Sequence, residues 1–382
     1  MALRSKLADV GTTIFTVMSQ LAHEHDAINL SQGFPNFDCD PALKQLVIKH
    51  LEAGRNQYAP MPGVPALRQM LANKARDLYD ADIDPDGEVT ITAGATQAIY
   101  TAIVTMVHPG DEVIIFDPAY DCYAPSVVSC GGIPVPIALR APDFAIDWHM
   151  AEERISEKTR FIIVNTPHNP LGKIMTMADM HELERIVQQH GLYVLSDEVY
   201  EHIIFDDLEH ASVLRFPGLR TRAFVTYSFG KLCHTTGWKV GYCIAPTPLT
   251  QEFRKIHQFN VFSVNTPMQY ALAEYLQDPE TYLQLPGFFQ AKRDFFVQAM
   301  SESAFSMLPC EGSYFILADY SRISDLDDMS FARWLTTEHG VATIPLSPFY
   351  AERISQPVVR FCFAKTEDTL EEAANRLRNL GG

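Results

Sequence analysis

The stretch "SFGKLCHTTGWKVGY" (228–242) sets Ser228 and Lys231 three residues apart. Such a pair supports two chemistries: Lys231 could take the proton of Ser228 and turn its hydroxyl into a nucleophile, or Lys231 could itself be the reactive amine with Ser228 as accessory. The serine chemistry of penicillin-recognising enzymes needs a later S-D-N and K-T-G around the same oxyanion site. Here the nearest relative of S-D-N, "SDE" at 196–198, precedes Ser228, and no K-T-G follows. The chain also lacks a G-x-S-x-G elbow, "HELER" at 181 lacks the second His of a zinc protease, and the GK pairs at Gly172 and Gly230 are not followed by Ser or Thr. A reactive lysine is the better reading, with a serine acylase built on Ser228 and Lys231 as the rival from another class.

The elements that must position such a lysine follow from hydrophobic period. Between residues 88 and 245, short apolar runs alternate with helical patterns: "EVTIT", "EVIIF", "IPVPIAL", "RFIIVN", "LYVLSD", "AFVTYS" and "VGYCIA". This predicts an α/β fold, a seven-stranded and mainly parallel sheet between helices. Ligands of such sheets sit beyond the carboxyl ends of the strands. The residues there are "AGATQA", "DPAYDCY", "TPHNPLG", "DEVYE" and "FGK". A helical pattern at 64–79 precedes these runs, and others at 250–277 and 287–303 follow them. Then follow "SYFILADY" and "PVVRFCFAK" as strands and "SFARWLTTEHG" and "TLEEAANRLRNL" as helices. The expected organisation is a large domain over 45–278 and a smaller α+β domain from 1–44 and 279–382.

Bulk properties narrow the function. The 382 residues are 47% hydrophobic with a formal net charge of -17, which suits a packed enzyme and opposes non-specific binding to nucleic acid or anionic membrane. No run reaches the roughly 18 apolar residues of a membrane span, and the N-terminus lacks the pattern of a secretory signal. The seven cysteines contain no C-x-x-C pair, so reduced thiols and a cytoplasmic location are expected, with no metal site.

A lysine that holds pyridoxal phosphate as a Schiff base needs a carboxylate for the pyridine nitrogen, donors for the ring hydroxyl, a phosphate cup and an aromatic face. The chain has a candidate for each. Singly, each has a bland alternative: Tyr120 as core, Lys231 as a solvated charge, Arg360 as half of a surface ion pair, "AGATQA" as a plain helix start. Their joint order, each just past an expected strand, sets them apart.

On these motifs the sequence resembles the fold-type I, class I/II aminotransferases over essentially its full length. Within them it is most similar to bacterial methionine aminotransferases and more distantly to the kynurenine aminotransferase/glutamine transaminase K group. The resemblance implies Lys231 as the Schiff-base lysine, Asp197 as pyridinium partner, and Tyr200 and Asn169 at the ring hydroxyl. It implies Tyr120 stacked on the ring, and a phosphate cup of Ser228, Lys239 and the backbone of Ala95 and Thr96. Tyr58 would reach the phosphate of a neighbouring subunit, so a homodimer with shared active sites is expected.

For the substrates, an amino acid and a 2-oxo acid, the resemblance implies Arg360 as α-carboxylate clamp. Asn169 and Gly33 would lie near it, Phe15 in the side-chain pocket, Phe34 at the entrance and Phe262 reaching in from the partner. An aromatic box favours methionine, phenylalanine or histidine over aspartate. A kynurenine or glutamine aminotransferase with cysteine-S-conjugate β-lyase activity is the alternative, since it would use the same residues.

Overall fold

Alternation within each apolar run decides the layers. In the strand Glu112–Asp117, Val113 and Ile115 pack on one side of the sheet and Ile114 and Phe116 on the other; Phe161 and Ile163 oppose Ile162 and Val164 in the same way in Thr159–Asn165. A strand apolar on both faces must be covered on both. The computed structural model, which describes residues 4–352, 354–378 and 380, meets that demand. The helix Ala95–Met106 covers one face through Ala98, Ile99, Ala102 and Ile103. Met177–His190 contributes Met180, Leu183 and Val187 to the core on the other.

The sheet has seven strands in the order Val89–Thr92, Gly241–Ile244, Ala223–Ser228, Tyr193–Asp197, Thr159–Asn165, Glu112–Asp117, Ile133–Ala138. Only Gly241–Ile244 runs antiparallel to its neighbours. The register pairs Asn165 with Asp197 and Asp197 with Thr226. The carboxyl ends of the central strands therefore finish level, and the polar residues that follow them gather at one edge.

A second, antiparallel sheet joins Ile344–Pro345, Val358–Cys362, Phe315–Asp319 and Ser306–Met307. It packs with Leu285–Ala299, Asp328–His339 and Glu367–Leu377. From the N-terminal side, Ile14–Glu24 leads into Ile28–Asn29, which pairs in parallel with Val341–Ala342. Two expectations need correction. The helical pattern across 250–277 is two helices, Thr247–Asn260 and Thr266–Tyr275, because Asn265 caps the second through its side chain and Pro267 can stand only in a first turn. The pattern at 287–303 is the helix Leu285–Ala299. The final helix ends at Leu377, and the Asn379 that its expected span includes lies outside the described residues.

All seven cysteines are unpaired, five of them buried. Among the described residues no helix is long and apolar enough to cross a membrane.

One glycine ties the sheet to the site. Gly241 pairs with both Thr92 and Ser228, and a Cβ there would lie 2.5 Å from the Tyr227 carbonyl oxygen and 3.0 Å from the Ala95 nitrogen. Both are backbone atoms that cannot rotate away. Gly241→Ala is expected to lower stability by about 1–3 kcal/mol, measured by urea denaturation.

Candidate active site

Four chain segments leave the level strand ends and enclose a cavity of about 250 Å³. Its deep end is formed by Asp197, the last residue of its strand. Tyr123 donates to Asp197 Oδ2 at 2.6 Å, and the carboxyl is buried. Burial pushes its pKa up to about 6, against the lowering effect of the Tyr123 hydrogen bond. A buried carboxyl in that condition is completed by a cationic partner. Next to it, Asn165 staples the following loop: its Nδ2 donates to the Asp197 carbonyl at 2.8 Å, and its Oδ1 accepts from the Asn169 N–H at 2.7 Å. That staple fixes where Asn169 stands.

At another end the donors converge. Gly94, at φ 79°, turns the chain into the helix Ala95–Met106, whose first N–H groups have no intrahelical acceptor. Ser228 ends the strand two places across the sheet, and Lys239 reaches back so closely that a Cβ on Gly94 would sit 3.3 Å from its Nζ. Lys239 takes the left-handed conformation (φ 54°) to do so, at a cost of about 1–2 kcal/mol for an L-residue. Among the described residues Lys239 has no ion-pair partner and the Ser228 hydroxyl no hydrogen bond. Unspent backbone donors, a hydroxyl and an ammonium around a helix N-terminus make an anion site.

The third wall comes from the second sheet. Arg360 is wholly buried in the middle of its strand. Nη1 donates to Asn169 Oδ1 at 2.7 Å and Nη2 to the Ser31 carbonyl at 2.6 Å, while Nε has no partner. Its guanidinium lies 3.8 Å from the Phe315 ring centroid and 5.3 Å from that of Phe15. Burial lowers its pKa to about 10, so it stays cationic at neutral pH with donors to spare for a carboxylate.

Lys231 sits between these walls. Its Nζ donates to the Tyr314 hydroxyl at 2.7 Å and to the Gly33 carbonyl at 3.0 Å. Ser228 makes no hydrogen bond to it, which removes the base that a serine nucleophile would need. Burial lowers the Lys231 pKa to about 8, giving a neutral, nucleophilic amine at mildly alkaline pH.

Of the residues expected from sequence, Phe15, Gly33, Ala95, Thr96, Tyr120, Asn169, Asp197, Tyr200, Ser228, Lys231, Lys239 and Arg360 all line this one cavity. Burial raises the pKa values of Tyr120 and Tyr200, so both phenols stay protonated. Phe34, Tyr58 and Phe262 do not line it. Phe34 is 45% exposed, with Lys365 Nζ 4.9 Å from its ring. Tyr58 and Phe262 are 81% and 51% exposed and meet edge-to-face at 5.2 Å.

Sequence reasoning missed Tyr123 and Tyr314. Tyr123 stands three residues after Tyr120 in "DPAYDCY" and could have been found as a second aromatic of that turn. Tyr314 comes from the far end of the chain, where no local pattern points to Lys231.

With the geometry in hand, comparison with known proteins is direct. Residues 25–377 match the family model for aminotransferase class I and II. The chain is 54% identical to the methionine aminotransferase of Escherichia coli over 99% of this chain and 98% of that one. It is 34% identical to the kynurenine–oxoglutarate transaminase of Dictyostelium discoideum, covering 97% and 94% of the two chains. A solved Escherichia coli structure described as having a methionine aminotransferase function superposes with a TM-score of 0.97 at 53% identity, over all of both chains. The chain belongs to the class I and II aminotransferase family, with the α/β fold-type I architecture, and is an aminotransferase.

The lowered pKa of Lys231 gives a prediction. In protein free of added ligands, acetylation of Lys231 by acetic anhydride, followed by peptide mass spectrometry, is expected to rise to half its maximum near pH 8, whereas solvent-exposed lysines follow the ordinary value near about 10.4.

Proposed function

We propose that the chain is a pyridoxal-phosphate-dependent aminotransferase acting on methionine and other large apolar or aromatic amino acids with a 2-oxo acid as acceptor. The observation that carries this reading is the convergence, in one cavity, of a half-buried amine, a buried carboxyl and an anion cup. The cofactor needs those three groups, and the donors that would hold it are unspent. Bound pyridoxal phosphate supplies an aldehyde to take up the amino group and a ring that withdraws electrons from Cα. The chain's residues do the rest.

Ser228, Lys239 and the N–H groups of Ala95 and Thr96 would bind the phosphate. Asp197, oriented by Tyr123, would hold a proton on the ring nitrogen, and that cationic partner would keep the carboxyl ionised. Tyr120 would cover one ring face, and Tyr200 and Asn169 would donate to the ring hydroxyl. Lys231 would hold the cofactor at rest and, once free, would move the proton between the substrate Cα and the cofactor's C4' carbon. Arg360 fixes the α-carboxylate and so aims the Cα–H bond at that amine.

Donor preference rests on the cavity's aromatic wall and on the methionine aminotransferase relative. Phe15 stands 6.5 Å from Tyr120 and 5.5 Å from Phe349, an arrangement suited to a thioether. The exposed pair Tyr58 and Phe262 supports a homodimer in which each subunit lends these rings to its partner's site, Tyr58 at the phosphate and Phe262 at the side-chain pocket. Phe34 then lies at the entrance. The separate sheets support the division into a large unit, 45–278, and a small one, 1–44 with 279–382. Seven unpaired cysteines suit a reducing cytoplasm.

Lys231→Ala is expected to lose the visible absorbance of the cofactor-linked protein and at least about a hundredfold in transamination, as for loss of a general base; 2-oxo acid formation checks it, and full retention would overturn the reading. In a panel of donors, methionine is expected to outpace aspartate; the reverse order would overturn the pocket assignment. The same panel, extended to kynurenine and a cysteine S-conjugate, separates the kynurenine-type alternative, since pyruvate and ammonia from the conjugate would reveal β-elimination.

A further inference from the structure

Tyr314 is wholly buried, at the entry to the strand Phe315–Asp319, and its ring is fixed on three sides by Tyr200, Phe289 and Phe315. Its hydroxyl donates to the Gly33 carbonyl at 2.5 Å and accepts from Lys231 Nζ at 2.7 Å, while the same carbonyl accepts from Lys231 at 3.0 Å. Gly33 packs tightly against the two aromatic rings beside this triangle. A Cβ on it would lie 2.7 Å from Phe315 Cζ, and the other face of attention for Phe315 is the Arg360 guanidinium, 3.8 Å from its ring centroid.

The hydrogen-bond inventory of the triangle is informative. A phenol has one proton to give, and Tyr314 gives it to Gly33, so toward Lys231 it can only accept. The carbonyl is acceptor only. Lys231 thus meets two acceptors, and a neutral amine has two N–H bonds and one lone pair. Both N–H bonds are taken up and the lone pair is left facing elsewhere. An ammonium would bring a third N–H with no acceptor within the triangle.

We propose that the Tyr314 hydroxyl and the Gly33 carbonyl form a dock for the Lys231 amine in every state in which that amine is not linked to the cofactor. The dock orients the lone pair for proton transfer and makes Tyr314 a positioning residue. This rests on the reading of Lys231 as the cofactor-linked base. No bond to Tyr314 or Gly33 forms or breaks in the dock: the amine's lone pair would take the Cα proton, an N–H bond forming as the Cα–H bond breaks, and would pass that proton on to the cofactor's C4' carbon, while Tyr314 keeps its own. The charged and titratable groups around the amine are Tyr200, Tyr314, Asp197, Lys239, Arg360 and Cys362. Of these, only Tyr314 touches it.

The test is Tyr314→Phe, which keeps the ring. In the cofactor-loaded variant the visible absorbance is expected to persist, kcat for methionine to fall about tenfold with KM within about twofold, and the isotope effect of Cα-deuterated methionine to rise, the size expected for one lost hydrogen bond to a reacting group. In the stripped protein, loss of an acceptor disfavours the ammonium more than the amine, so the midpoint for Lys231 acetylation is expected to move below about 8. An unchanged isotope effect with an unchanged midpoint would overturn the dock. If Tyr314→Phe fails to fold, 4-fluorophenylalanine at 314, which keeps the shape but replaces the hydroxyl with a far poorer acceptor, is expected to shift both readouts in the same direction, and no shift would overturn it. Retained absorbance and turnover in Lys231→Ala would instead overturn the underlying reading.

Discussion

Two basic side chains, half-buried Lys231 and wholly buried Arg360, line one cavity, and desolvation bears on both. A guanidinium spreads its charge and keeps it; an ammonium concentrates its charge and yields. Burial lowers both pKa values by a similar amount, so Arg360, which starts higher, comes down to about 10 and Lys231 to about 8, the latter in part from the nearby guanidinium. The site therefore separates a permanent cation from an amine able to act as nucleophile and base. Everything else follows from keeping these two groups close: Lys231 follows a strand of the large sheet and Arg360 lies in a strand of the small one, so the site exists where the two sheets face each other.

That arrangement needs a rigid floor. Immediately behind Asp197 lies a buried polar network. Glu198 accepts from Ser196 at 2.9 Å, from Tyr227 at 3.1 Å and from the Val213 N–H at 2.9 Å, with His210 Nε2 at 2.9 Å. Glu201 pairs with Lys74 and accepts from Tyr79, both at 2.5 Å. Burial pushes the Glu201 carboxyl up, but attraction and hydrogen bonding to Lys74 and His202 together outweigh it, and Glu201 stays ionised. Partnered throughout, such groups fix the backbone that carries them. Asp197 directly precedes Glu198 and Tyr200 directly precedes Glu201, so both side chains enter the cavity from a clamped turn.

Much of this was legible in the sequence because strands of a parallel sheet advertise themselves as apolar runs, and their chemistry follows directly after. All seven runs became strands, and twelve of the expected residues share one cavity. What escaped has a common physical cause. The break between Thr247–Asn260 and Thr266–Tyr275 was hidden by a hydrophobic period that carries across it, although Asn265 and Pro267 mark it. Tyr314 was hidden because its partner lies 83 positions away in the chain, and no local spacing encodes such a contact. Phe34, Tyr58 and Phe262 were legible only by resemblance, and their placement outside the cavity follows from their exposed positions in a single chain.

The cysteines carry a consequence for a protein whose trade is with carbonyl compounds. A thiolate adds readily to an aldehyde or a 2-oxo acid, so each exposed thiolate would be a competing trap for both cofactor and substrate. Burial raises the pKa values of Cys122, Cys233, Cys243 and Cys310. They remain protonated at neutral pH and poor in nucleophilic power. The interior thereby silences its sulfur and leaves the carbonyl to nitrogen.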